Sequence, residues 1–91
     1  MPVIRRRVVV RGIVQGVGFR FGAAREARRL EVAGWVRNRP DGAVEAELEG
    51  PQTAVQAMLD WLGTGPAGAH VDGVDVTETE PLGASGFEIR H

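Results

Sequence analysis

Cysteine, lysine and tyrosine are all missing from this 91-residue chain. Without cysteine there is no disulfide, no thiolate metal site and no thiol nucleophile. The redox compartment is therefore left open. All 11 basic residues other than histidine are arginine, which excludes both a Walker-type phosphate loop, with its Gly-Lys-Ser/Thr, and a Schiff-base mechanism. Codon bias in a chain rich in Ala, Gly and Val is a sufficient reason for that usage. Histidine is limited to His70 and His91, too far apart in sequence to suggest a metal site or a nucleophile. Aromatic residues are few, with 2 Trp and 3 Phe, so the stacking platform of an RNA-binding sheet is not in view. The balance of 11 basic against 12 acidic residues leaves a net charge of -1, with neither a nucleic-acid footprint nor an acidic tail. No hydrophobic run approaches a membrane span, and Met-Pro-Val-Ile-Arg-Arg-Arg is too short in apolar residues for a signal peptide. The expected location is the cytoplasm, with no membrane and no nucleic acid as partner.

What is present is a chain of ordinary globular composition, 43% hydrophobic and 25% charged. It is long enough to bury roughly 60 to 65% of its unfolded surface in one core, and residues 1–91 are expected to form a single domain. The most informative segment is Val14-Gln15-Gly16-Val17-Gly18-Phe19-Arg20, at the junction between a strand pattern and a helix pattern. Glycine reaches positive φ without a Cβ penalty, so Gly16 and Gly18 allow successive N–H groups to converge on one anion. The helix start adds unpaired N–H groups and a positive dipole end. Arg20 adds a permanent charge whose planar fork matches two phosphate oxygens. The segment should hold a phosphate or a carboxylate.

Along the rest of the chain, Arg5 to Ile13 reads as a covered strand through Val8, Val9 and Val10, and Arg5-Arg6-Arg7 as its solvated end. A helix is expected from Phe21 to about Val32, with Phe21, Ala24, Ala27 and Leu30 on its inner face. Gly34 to Arg39 reads as a short strand, and Arg39-Pro40-Asp41-Gly42 as the turn of a hairpin. In the next strand Val44, Ala46 and Leu48 alternate with Glu45, Glu47 and Glu49, so one face should be buried and the other wet. Gly50-Pro51 opens a second helix whose stripe is Val55, Met58, Leu59 and Leu62. Gly63 to Gly68 reads as a loop, Val71, Val74 and Val76 as a fourth strand, and Phe87 to Arg90 as a short terminal one. Trp35 and Trp61 are most simply packing residues, and Phe19 a core anchor. The order β-α-β-β-α-β, with an added strand, predicts an α+β sandwich of an antiparallel sheet with two helices on one face. Strands one and two then run in the same direction on either side of strand three. Arg20 and Asn38 therefore meet at the same sheet edge.

The chemistry at that edge is restricted by the groups available. No thiolate stands at the start of the loop, no carboxylate lies within it, and Asp41 is accounted for by its turn. Water must then attack a phosphate held by fixed donors. A phosphate ester leaves as an alkoxide and calls for an acid or a metal, whereas an acyl phosphate leaves as a carboxylate whose conjugate acid has a pKa of about 4. Phosphoryl transfer depends largely on positioning and charge stabilisation, and a phosphate oxygen can take the proton of the attacking water. Asn38 suits the remaining task, since a carboxamide donates and accepts hydrogen bonds without repelling the phosphate.

Arg11-Gly12-Ile13-Val14-Gln15-Gly16-Val17-Gly18-Phe19-Arg20, Gly34-Trp35-Val36-Arg37-Asn38, Asp41-Gly42-Ala43-Val44-Glu45 and Gly50 resemble the acylphosphatase family, with similar order and length from about Arg5 to Arg90. The helix end Leu30-Glu31-Val32-Ala33 lacks a glycine that members often carry there, and Arg39 stands where some carry threonine. The resemblance implies a ferredoxin-like sandwich and hydrolysis of the carboxyl–phosphate bond of small acyl phosphates without metal or cofactor. It implies that Arg20 and the amides of Gln15, Gly16, Val17, Gly18, Phe19 and Arg20 bind phosphate, and that Asn38 positions water. A monomer is the simplest expectation. A binding or regulatory module, similar to the acylphosphatase-like domain of hydrogenase-maturation carbamoyltransferases, is the second reading. An RNA-binding module of the same fold is the third.

Overall fold

A computed structural model describes residues 2–91. Its elements are β1 (Val3–Ile13), α1 (Phe19–Leu30), β2 (Ala33–Asn38), β3 (Val44–Pro51), α2 (Gln52–Thr64), β4 (His70–Thr79) and β5 (Phe87–Arg90). They form one five-stranded sheet of order β4-β1-β3-β2-β5. The ferredoxin-like order is as expected, but the sheet is mixed rather than antiparallel, because β5 pairs parallel with β2. Residues 80–86 carry the chain from β4 at one edge to β5 at the other. The strand that enters after this crossover runs opposite to β4 and hence alongside β2.

Alternation along the strands separates a core face from an open face. Val8, Ala46 and Val36 lie in one transverse row by register, and all three are fully buried. Val10 and Val44 extend the same face, against Ala23, Ala24 and Ala27 of α1 and Val55, Met58 and Leu62 of α2. Burial of each larger aliphatic side chain stabilises the fold by about 1.5–3 kcal/mol relative to exposure. The two helices meet through Phe19 and Trp61, whose rings pack edge to face at 5.5 Å.

Helix α1 begins and ends earlier than its sequence pattern suggests. Gly18, in the left-handed region, sets the start, and the buried residues are Phe19, Ala23, Ala24 and Ala27. Phe21 is 70% exposed instead of lining the core. At the other end Glu31 does the work of a terminal glycine at φ 59°, and the Val32 N–H returns to the Ala27 carbonyl at 2.8 Å. Helix α2 starts at Gln52 with Pro51 as its cap and runs through Thr64, so the loop expected from Gly63 is shorter.

The open face departs most from a simple two-sided reading. Glu45 is 1% exposed, Glu49 4% and Arg5 3%. Arg5 donates to Glu47 at 2.7 Å and to Glu49 at 2.9 Å, and Glu45 is shared by Arg7 and Arg37. Glu45, Glu49 and the start of the arginine run are not wet, because cross-strand partners lie over one another, and Glu47 is half-buried. Trp35 is the open face's aromatic residue, with the guanidinium of Arg90 4.9 Å and that of Arg37 5.9 Å from its ring centroid. Trp35 thus packs against cations.

Candidate active site

The loop after β1 is pinned from both sides by apolar anchors, Val14 at 1% and Phe19 at 2% exposure. Between them Gly16 has φ 74° and Gly18 has φ 76°. These values put both residues in the left-handed region, where a Cβ would clash with the backbone. Gly18 is the N-cap of α1; its carbonyl accepts the Gly22 N–H at 3.0 Å, and no side chain caps the helix. The first turn holds no acidic residue. The early N–H groups of the helix are consequently available to an anion. Val17 is half-buried against the core, while Gly16 and Gly18 are exposed.

Gln15 makes a connection that its sequence position did not reveal. Its Nε2 donates to the carbonyls of Arg39 at 2.8 Å and Ala43 at 2.9 Å. Those two residues close the β2–β3 turn, with the Arg39 N–H donating to Ala43 O at 2.8 Å. The Gln15 side chain therefore clasps the loop to the hairpin that follows Asn38. Asp41 accepts the Ala43 N–H at 3.1 Å and pairs with Arg39 at 2.9 Å. The Ala43 N–H, followed by the charges of Arg39 and Arg11, holds the Asp41 carboxyl below its usual range. The turn accounts for this aspartate, as its Pro-Asp-Gly setting suggested.

Arg20 is half-buried and points towards the end of β5, with Nη1 3.4 Å from the Arg90 carbonyl and 3.5 Å from His91 Nδ1. Arg90 is in register with Arg37, the neighbour of Asn38. Asn38 pairs with Val44, which on its other side pairs with Val10. It shares the alternation of Val36, so its side chain belongs to the core face that carries α1. Asn38 Oδ1 is buried and has no protein partner. A buried acceptor is ordinarily hydrogen-bonded, so this atom calls for a small donor such as water. The structure thus gathers loop 15–20, Arg20 and Asn38 at one end of the sheet. From Val10 to Asn38 across β3 is two strand spacings, roughly 9.5 Å.

The ion pairs behind this edge fix β2 in place. Burial opposes ionisation of Glu45, but hydrogen bonds and charge from Arg37 and Arg7 outweigh it and keep its carboxyl below the ordinary range. Sequence alternation flagged Glu45 as a surface residue; only the cross-strand arginines identify it as part of the support for the Asn38 strand. His70 pairs with Asp72 at 3.0 Å, and among the described residues neither histidine belongs to a cluster suited to a metal.

Comparisons with known proteins point in one direction. A family model described as Acylphosphatase matches residues 6–89. An acylphosphatase of Anaeromyxobacter dehalogenans is 58% identical over 88 residues, which cover 96% of this chain and 95% of the relative. The crystal structure of acylphosphatase from Bacillus subtilis superposes with a TM-score of 0.93 at 40% identity, covering 97% of this chain and 99% of that one. A crystal structure of full-length HypF, in a phosphate- and nucleotide-bound form, matches 99% of this chain with only 12% of its own length, at 26% identity and a TM-score of 0.88.

Proposed function

Because this chain belongs to the acylphosphatase family and has that family's hydrolase function, we propose that loop 15–20 and Asn38 form its active site for small acyl phosphates. In this reading Arg20 and the amides of Gln15, Gly16, Val17, Gly18, Phe19 and Arg20 hold the phosphate. Asn38 holds the attacking water through its carboxamide. The water oxygen forms a bond to phosphorus as the bond from phosphorus to the acyl oxygen breaks. The leaving group departs as a carboxylate, and the water's proton passes to a phosphate oxygen. No side-chain acid or base is required, and the donors aimed at the phosphate lower the barrier by meeting charge as it develops. No metal or cofactor has a part in this sequence of steps.

The observation that carries the reading is Asn38 Oδ1, buried and without a protein partner, at the sheet end where Arg20 reaches Arg90. A single domain over residues 1–91, acting as a cytoplasmic monomer, completes the proposal. One core built from all seven elements supports the domain reading, and among the described residues no helix is long and apolar enough to cross a membrane.

The test is hydrolysis of benzoyl phosphate by chelator-treated protein, with wild type compared with Arg20→Ala and Asn38→Ala. Activity should survive the chelator and fall by roughly two or more orders of magnitude in each variant, the scale of removing a donor to developing charge. Full activity in Asn38→Ala would reject the water-positioning role while leaving Arg20 in place. Activity abolished by the chelator and restored by a metal would overturn the metal-free mechanism.

A further inference from the structure

A cavity of about 680 Å³ opens at the end of the sheet remote from loop 15–20, where the 80–86 crossover passes the C-terminal end of α1. Two local features leave this space open. The left-handed Glu31 turns the chain sharply from α1 into β2. Glu49 accepts the N–H groups of Leu82 at 2.7 Å and Ala84 at 2.9 Å, which ties the crossover to the sheet instead of letting it collapse onto the helix end. The walls between are largely apolar, formed by Val3, Val32, Ala33, Pro81, Ala84 and Phe87.

Three charged residues border the cavity: Glu49, Arg28 and Glu31. Glu49 is already occupied by the two crossover amides and by Arg5. Arg28 and Glu31 are both exposed, and among the described residues neither enters an ion pair. Arg28 gives one N–H to the Phe87 carbonyl at 3.0 Å, which leaves the rest of its donors for a ligand or water. Residues three apart at a helix end have Cβ atoms about 5–6 Å from one another. An apolar cavity of a size ordinary for small-molecule sites thus has one open cation and one open anion side by side at its rim.

We infer that this cavity binds a free α-amino acid with a large apolar side chain. Its carboxylate meets the planar fork of Arg28, its ammonium group meets Glu31, and its side chain covers the apolar walls. A ligand of single charge would satisfy one of the two residues and hold the other, uncompensated, beside an apolar wall. A zwitterion satisfies both and brings no net charge into the cavity. The end of a peptide chain carries only one of the two groups at its terminal residue. Arg28 stands eight residues beyond Arg20 on α1, about 12 Å along the helix axis, so this site is separate from the proposed active site and does not depend on it.

The experiment titrates the protein with L-phenylalanine by calorimetry, and with labelled protein by NMR. Wild type should bind with a Kd of about 1 mM or tighter, the value that roughly 12 non-hydrogen atoms give at ordinary ligand efficiency, and the amide signals of Gly83, Ala84, Ser85 and Gly86 should move. N-acetylphenylalanine keeps only the carboxylate, 2-phenylethylamine only the ammonium group, and glycine only the two charges. Each should bind about tenfold or more weakly than phenylalanine, the value of one modest charge-assisted contact or of the lost apolar burial. Arg28→Gln and Glu31→Gln should each weaken phenylalanine by about tenfold while hydrolysing benzoyl phosphate at the wild-type rate, since neither residue belongs to the catalytic machinery. Absence of binding at a concentration about tenfold above that Kd, N-acetylphenylalanine or 2-phenylethylamine binding as tightly as phenylalanine, or affinity that survives both substitutions would overturn the amino-acid site. None of these results bears on Arg20 or Asn38.

Discussion

Replacing Glu49 by alanine should cost about 3 kcal/mol of stability. Its carboxylate accepts three hydrogen bonds, from the Leu82 N–H at 2.7 Å, Arg5 Nη1 at 2.9 Å and the Ala84 N–H at 2.9 Å. Bonds to a charged group contribute about 1.5–3 kcal/mol each, but that sum overstates the loss. Leu82 and Ala84 belong to an exposed crossover, where freed amides reach water. Arg5 cannot do the same: it is 3% exposed and would be left with Glu47 alone. Removing one member of a buried pair costs about 3–5 kcal/mol, and the second partner sets the expectation at the lower end. In a domain of this size that corresponds to a fall in Tm of roughly 12–24 °C. Glu49→Gln preserves the volume but turns an NH2 group towards donors, so it should fall between the two. Urea unfolding followed by Trp fluorescence measures both, with an unchanged slope showing that the shift in midpoint is a change in stability. A loss below about 1 kcal/mol in Glu49→Ala would refute the claim that this carboxylate ties the crossover to the sheet.

Acid should destabilise the protein in a defined window. The Leu82 N–H, and then Arg5, lower the Glu49 pKa from its ordinary 4.5, and Arg37 and Arg7 lower that of Glu45 against the effect of burial. Their contribution is complete above the unfolded value and lost as pH falls through the folded one, so urea midpoints should hold from neutrality to about pH 5 and drop below it; midpoints unchanged at pH 3 would contradict this. Gln15→Ala removes both hydrogen bonds that join the loop to the β2–β3 turn and should lower kcat/KM for benzoyl phosphate by roughly tenfold for a misplaced loop, whereas a wild-type rate would show that the clasp does not position the site. At Gly34 a Cβ would lie 1.8 Å from the Glu47 carbonyl oxygen with φ at 137°, so Gly34→Ala should lose at least ~3 kcal/mol or fail to fold. In contrast, Gly63→Ala in α2 meets nothing within 4 Å and should gain about 0.5 kcal/mol from helix propensity; circular dichroism melts distinguish the two.

Much of this fold is legible from short-range patterns. Val44, Ala46 and Leu48 announce a strand with one apolar face, and Val55, Met58 and Leu62 announce a helix, because burial of a pleated or helical face imposes its own period. The left-handed glycines of the loop are legible for a similar reason: Gly16 and Gly18 adopt positive φ with little penalty wherever they stand. Glu31 marks the limit of that rule. It takes the same conformation without glycine's freedom, and the hydrogen bond from Val32 to Ala27 is what holds it there.

Phe21 lies off the buried face of α1 because helical periodicity defines a stripe but not where the count begins. Gly18 and the contact between Phe19 and Trp61 decide that phase. Glu45 and Glu49 of β3 are buried against their alternation for a related reason. Alternation says which side of a strand a residue occupies, not whether a neighbouring strand will cover it with arginine.

The sequence by itself therefore determined the strand and helix patterns, their order, the left-handed glycines of residues 15–20 and the exclusion of thiol and lysine chemistry, since all of these follow from residue types and close spacing. Tertiary structure alone decided that β5 joins β2 in parallel, that Gln15 holds the hairpin beyond Asn38, and that Arg7, Arg37 and Arg90 gather with Trp35 on the open face. Each of these depends on which strands become neighbours, and strand pairing brings together residues far apart in the chain, beyond the reach of any local pattern.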